Sequence, residues 1–271
     1  MAYPVTMRAS LFAALALVSG LACSAEEVVW PISKSDDLDA DHISSPFGPR
    51  DQSGTYDFHA GVDFPVEEGT KVRSIKAGTV EKIEVDDGGA GNWVLVDHGE
   101  GEKSAYLHLS KIRCKAGDEL RAGDLVGLSG SSGGTTPHLH LNYMVGVERN
   151  GADEAMARNA LEILPHTQMP DPEVEWTAEG VILTVAVAPM TVQAVRLEGE
   201  GQVVEVDYAD IVARGNPARD YHNQGGLYID VNKVDSEHFA LTLEPSENAF
   251  VPDQVVLTDY YGERLFSAAR E

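Results

Sequence analysis

The sequence predicts a mainly β protein: an antiparallel β-sheet or sandwich domain over residues 42–166, then a C-terminal β-sandwich of immunoglobulin-like type over residues 173–271. Two observations carry this prediction. Short runs rich in β-branched residues alternate with Gly- and Asp-rich turns, the texture of antiparallel strands. Two such sets are separated by Pro170-Asp171-Pro172, a break at which regular structure stops.

The elements follow in chain order. Arg8 precedes an apolar run over residues 9–22 that is too short to span a bilayer, and Cys23-Ser24-Ala25 offers small residues for cleavage before Glu26. Residues 1–25 are therefore expected to be an export signal. The mature chain is expected to be periplasmic or secreted, the periplasm being preferred, and without a transmembrane segment. Cys23 offers a second reading, a lipid-anchored terminus, against which stands Gly20 where a Leu is usual. Cleavage after Ala25 leaves Cys114 as the one cysteine, so no intramolecular disulfide forms, and Cys114 near Ile112 reads as a small core residue. Residues 26–41, with an acidic run at 34–41, read as a solvated linker.

Between 42 and 166, strands are predicted at residues 71–75, 78–85, 93–96 and 125–128. Residues 151–164 carry Ala, Met and Leu at helical spacing and end at Pro165, which predicts one closing helix. The glycines of Asp86-Asp-Gly-Gly-Ala-Gly91 lack the lysine of a phosphate-binding loop and read as a turn. Beyond Pro172, strands are predicted at 181–187, 192–197, 203–206 and 254–258. Tyr208, Tyr221, Tyr228, Tyr260 and Tyr261 read as packing residues in preference to a ligand platform, and His222 and His238 as surface residues.

Twenty basic against 44 acidic residues give a net charge of −24. Such a surface repels a phosphate backbone, which excludes nucleic acid as a partner.

The chemistry concentrates in two short motifs. His59-Ala-Gly-Val-Asp63 and Pro137-His-Leu-His140, with His108 of Tyr106-Leu-His-Leu-Ser110 between them, read together as a split metal site. Two imidazoles and one carboxylate are a catalytic zinc ligand set that leaves the fourth tetrahedral position open. In an extended strand His138 and His140 share a face while Leu139 points to the core. Gly61, Pro65 and the apolar Phe58, Val62 and Phe64 argue for an extended or looping segment around His59 and Asp63. Burying several imidazoles and a carboxylate among apolar residues costs free energy unless a cation compensates.

With Ser45-Pro-Phe-Gly-Pro-Arg50, Gly69-Thr-Lys-Val72, Ala77-Gly-Thr-Val80, Gly91-Asn92, Val96-Asp-His-Gly99, Gly117-Asp118 and Gly123-Asp-Leu-Val-Gly127 in the same order, the chain from about residue 42 to 165 resembles the lysostaphin or LytM-type zinc metallopeptidases, family twenty-three of the metallopeptidases. The resemblance implies the duplicated hybrid motif fold and one Zn2+ per chain held by His59, Asp63 and His140. It makes His108 and His138 the two non-ligand catalytic histidines, and His98 structural. The implied substrate is a peptide bond in the stem or cross-link of peptidoglycan. Two departures stand out. The loop Gly130-Ser-Ser-Gly-Gly-Thr-Thr136 reaches Pro137 one residue early, and Ala90 replaces an aromatic residue common in relatives, leaving Tyr56 as a nearby tyrosine.

The expected function is an exported zinc endopeptidase. A non-catalytic wall-binding or hydrolase-activating relative is the first alternative, which loss of a ligand would signal. A secreted protease acting on protein is the second, since the same site would serve it.

Overall fold

A computed structural model describes residues 27–32, 43–52, 55–148, 151–165, 168–186, 190–213, 226–235, 237–246 and 250–271. The expected export signal, most of the linker, His42, Tyr221 and His222, and the side chain of Tyr56, lie outside what it describes.

The first set of strands builds a seven-stranded antiparallel sheet in the order Ala157–Arg158, Leu139–Met144, Glu102–Leu107, Gly91–Gly99, Gly78–Asp87 and Glu119–Leu120, with Val62–Phe64 also pairing with Leu139–Met144. A smaller sheet joins Lys71–Arg73, Leu125–Leu128 and Lys111–Ile112, and a hairpin joins Gly48–Gln52 to Thr55–His59. Alternation places Leu139 and Leu141 fully in the core beside Val94, Val96 and Tyr106. The buried Tyr106 hydroxyl accepts the amide of Ile75 at 2.8 Å, so its polar end is satisfied. His98 joins the carbonyl of Ala77 and the hydroxyl of Ser104, each at 2.8 Å, a structural role away from the histidine cluster. Residues 27–32, within the expected linker, run beside this set: Val29 donates to the Ile75 carbonyl at 2.9 Å and Ile32 is buried.

The helix predicted over 151–164 is not formed. Short 3₁₀ turns at Glu154–Met156 and Ala160–Glu162 flank Ala157–Arg158, which pairs with Tyr143–Met144 at the sheet edge. Asn159 breaks the segment, its side chain accepting the Leu161 amide at 3.1 Å and donating to the Met190 carbonyl at 2.9 Å. Ala157, Ala160, Leu161 and Leu164 are buried, so the apolar spacing was a record of burial and not of helix.

The second set forms two four-stranded antiparallel sheets. One runs Glu173–Trp176, Val181–Ala186, His238–Pro245, Leu227–Lys233; the other runs Gln202–Asp207, Ala194–Gly199, Gln254–Thr258, Arg264–Ala269. Each buries alternate residues, Val181, Leu183 and Val185 in the first and Val255 and Leu257 in the second, as a sandwich requires. A short helix, Tyr208–Ala213, which the sequence reading did not anticipate, follows Gln202–Asp207. Tyr208 is fully buried and Tyr260 and Tyr261 are in edge contact at 5.4 Å, while His238 is half-exposed and bonded to Asp235. Cys114 is half-buried against the core, outside any strand, and burial pushes its thiol up to about 11, which keeps it protonated and unreactive.

The two halves pack against each other, as where Asn159 bonds the Met190 carbonyl and where the first hairpin meets Tyr208. Gly48 has φ +111°, and a Cβ there would lie 2.9 Å from the Tyr208 ring, so only glycine lets the hairpin pass. The Tyr208 ring also meets Phe58 edge-on at 6.1 Å, and Phe58 meets Phe47 at 5.4 Å. Among the described residues, no helix is long and apolar enough to cross a membrane.

Candidate metal centre

His59 ends the hairpin strand Thr55–His59, Asp63 lies in the middle of Val62–Phe64, and His140 sits directly opposite Asp63 in the adjoining strand. Gly61 makes the approach feasible: a Cβ there would fall 2.5 Å from His140 Nε2 and 2.6 Å from the Leu141 carbonyl oxygen. The three side chains consequently converge. Asp63 Oδ1 is 2.8 Å from His140 Nδ1 and 3.2 Å from His59 Nε2, and the two ring nitrogens are 3.0 Å apart.

Hydrogen bonds on the far side of each ring fix which nitrogens carry protons. The Asn142 amide donates from Nδ2 to the Ala60 carbonyl at 2.9 Å, so its Oδ1 must face His140 Nε2, 2.8 Å away, and accept a hydrogen bond from it. His59 Nδ1 likewise donates to the Pro46 carbonyl at 2.8 Å, with the Ser45 hydroxyl at 3.3 Å. His59 Nε2, His140 Nδ1 and Asp63 Oδ1 are then three lone pairs facing one another with no proton between them. Such a cluster is repulsive until a cation enters it. Zn–N and Zn–O bonds of about 2.0–2.1 Å at tetrahedral angles place ligand atoms roughly 3.3 Å apart, close to the observed spacing.

Electrostatics leave the donors in ligand form. Burial pushes the His59 imidazole below its ordinary pKa, more than Asp63 pulls it up. Burial works against ionising Asp63, but in the metal-free protein a proton taken up by His59 or His140 on the side facing Oδ1 outweighs it through charge and hydrogen bonding, and holds the carboxyl well below the usual range. Asp63 therefore stays an anion and His59 neutral at neutral pH, as metal binding needs. Arg50 Nη1 lies 3.5 Å from Asp63 Oδ2 and donates to Ser45 Oγ at 2.7 Å, so it takes the outer carboxylate oxygen and leaves Oδ1 pointing inward.

The other two histidines flank this trio. His138 Nδ1 donates to the Thr136 carbonyl at 2.7 Å, turning Nε2 toward Asp63 Oδ1 at 3.6 Å. His108 Nδ1 donates to the Ser132 carbonyl at 3.1 Å, and its ring centre is 4.6 Å from that of His138 and 5.9 Å from that of His140. His108 sits at φ +62°, an uncommon conformation for a residue with a side chain. Burial, then the charges of His138 and His140, push its pKa down to about 4. All five residues singled out by sequence thus line one cleft of about 490 Å3.

Three contributors escaped the sequence reading: Ser45, Arg50 and Asn142. Asn142 was within reach of the alternation argument, being two residues beyond His140 on the same strand face. Arg50 and Ser45 carried no such signal, since their role depends on where the hairpin folds back.

Residues 57–153 match the sequence profile of Peptidase family M23. The chain is 42% identical over 107 residues to an uncharacterized metalloprotease of Haemophilus influenzae, a match covering 38% of this chain and 22% of that protein. It is 38% identical over 101 residues to lysostaphin of Staphylococcus simulans, covering 36% and 20%. It is 39% identical over 107 residues to the peptidoglycan DD-endopeptidase ShyA of Vibrio cholerae, covering 38% and 25%. The alignments thus take in a quarter or less of each of these proteins. Among solved structures, the catalytic domain of lysostaphin from Staphylococcus simulans is similar at 32% identity, TM-score 0.40, over 44% of this chain and 89% of that one. The motif order, the convergent His and Asp side chains and the profile match agree, and this chain carries a Peptidase family M23 domain.

Proposed function

We propose that the chain is an exported zinc endopeptidase that hydrolyses peptide bonds in the stem peptides or cross-links of peptidoglycan. The single observation that carries this reading is the convergence of His59 Nε2, Asp63 Oδ1 and His140 Nδ1 with their protons directed outward. These three atoms are the ligands in this reading. Bound zinc supplies a Lewis acid for a carbonyl and lowers the pKa of water from 15.7 to about 7.

The chain's own residues do the rest. Asn142 and Pro46 hold the two ligand rings in their tautomers, and Arg50 orients the carboxylate. His138 and His108 present Nε2 toward the cleft, their Nδ1 atoms being anchored to backbone carbonyls. Between them they can take a proton from the attacking water, pass it to the leaving amine or donate to the developing oxyanion. A neutral His108 suits the accepting role, because its burial removes the competing charged form. The relatives named as lysostaphin and as a DD-endopeptidase support peptidoglycan as the substrate class, and the export reading rests on residues 1–25.

The test is muropeptide chromatography of purified sacculi incubated with the full chain, with and without a chelator. New peptide ends that vanish on chelation and return with zinc are the expected result. Sacculi left intact by a zinc-loaded chain would overturn the proposal.

A further inference from the structure

We infer that the C-terminal sandwich forms the second wall of the substrate cleft, and that Lys233 on that wall is a specificity-determining residue that receives a carboxylate of the substrate peptide. The inference rests on the peptidase reading for its substrate, but not for its geometry.

Beside the histidine-lined cleft lies a second hollow of about 260 Å3. Ser44, Arg50 and Asp63 line both, so the two hollows adjoin across these side chains. The far side of the second is closed by Val231, Lys233 and Phe239, from strands nearly 170 residues further along the chain. The strand Leu227–Lys233 explains why a lysine is there. Leu227, Ile229 and Val231 alternate into the sandwich core, and Lys233 is next in that phase, where the buried face runs out into the hollow. The intervening Asp230 and Asn232 belong to the other face and bond each other at 2.8 Å.

Charge identifies the occupant. Lys233 has no ion pair among the described residues, in a chain of net charge −24 where acidic partners are abundant. The acid in the same hollow, Asp63, is faced by Arg50 on one oxygen and turns the other away from the hollow, toward His59 and His140. Asp235, nearby in sequence, is held by His238 and by the amides of Glu237 and His238. Among the described residues the unanswered charge is therefore positive, and it sits beside the apolar Val231 and Phe239. A peptide residue with a side-chain carboxylate matches that wall, its charge on Lys233. The wall is held in register with the metal-side hairpin by the Tyr208 ring against Gly48 and Phe58.

The experiment measures binding of two fluorescein-labelled, capped alanine pentapeptides, one with a central glutamate and one with a central glutamine, by anisotropy at low ionic strength. The full zinc-loaded chain is expected to prefer the glutamate peptide by about fivefold to tenfold. Lys233→Ala should abolish the preference, Lys233→Glu should invert it and Lys233→Arg should keep it. Lys233 is exposed, so these variants fold. A preference that survives Lys233→Ala, or its absence in the unaltered chain, overturns the inference. A Lys233-dependent preference in a chain that leaves sacculi intact would sink the peptidase reading and leave the second wall standing.

Discussion

His140 Nε2 is bonded to Asn142 Oδ1 at 2.8 Å, and because the Asn142 Nδ2 is committed to the Ala60 carbonyl, that one contact decides which face of the imidazole carries a lone pair. Two residues on one strand face therefore set the tautomer of a proposed ligand before any cation arrives. Asn142→Ala is expected to weaken zinc binding by about 10- to 100-fold while the fold persists. Competition with a chromophoric chelator measures it, and an unchanged affinity would remove the role given to Asn142.

Ligand and non-ligand histidines should separate cleanly. His140→Ala is expected to lose zinc and activity together, whereas His108→Ala should retain zinc and lose about 10²- to 10⁴-fold in turnover, the usual worth of a positioned acid or base. Atomic absorption beside the sacculus assay reads both quantities. Full activity in the His140 variant would refute the ligand assignment.

Gly61→Ala tests close approach. The new methyl would press on His140 Nε2 and on the rigid Leu141 carbonyl, displacing the ligand ring or the strand that bears it. Zinc content is expected to fall at least as far as in Asn142→Ala, with circular dichroism still showing a β protein.

The metal-free chain should lose stability on acidification. His108 titrates near 4 when folded and near its ordinary 6.5 when unfolded, so between these values the unfolded state binds the extra proton and stability rises with pH. Depressed Asp63 acts in the same direction at lower pH, its contribution disappearing as pH drops below the ordinary carboxylate value. Thermal melts of the chelated chain from pH 8 to pH 4 should show a falling Tm, and His108→Gln should flatten the slope between 6.5 and 4. An identical slope in the variant would contradict this account.

Tyr208 offers a test with two signs. Its ring is fully buried against Gly48 and Phe58, yet its hydroxyl has no hydrogen-bond partner among the described residues, and burial raises its pKa. Tyr208→Ala should cost about 3–5 kcal/mol through the cavity it leaves. Tyr208→Phe should stabilise by about 1–2 kcal/mol, since it deletes an unsatisfied buried group. Urea unfolding of both variants decides the matter, and a destabilised Phe variant would show that the hydroxyl is bonded.

By itself the sequence determined what depends on local period and short spacing. The alternation of His138 and His140 about Leu139, the extended or looping path through Gly61, and the strand runs expected between residues 71 and 258 followed from residue type and phase, because a strand repeats every two residues whatever surrounds it. Residues 151–164 show where that logic ends: their apolar spacing suited a helix, but pairing of Ala157–Arg158 with the sheet edge and the break at Asn159 won, as tertiary contacts outweigh propensities of a few tenths of a kcal/mol per residue. Only the tertiary structure brought Arg50 to Asp63, His108 to His138, and Lys233 to the hollow beside that cleft. Those pairings join strands far apart in the chain, and which strands become neighbours is settled by burial of whole sheet faces, a property no short stretch of sequence carries.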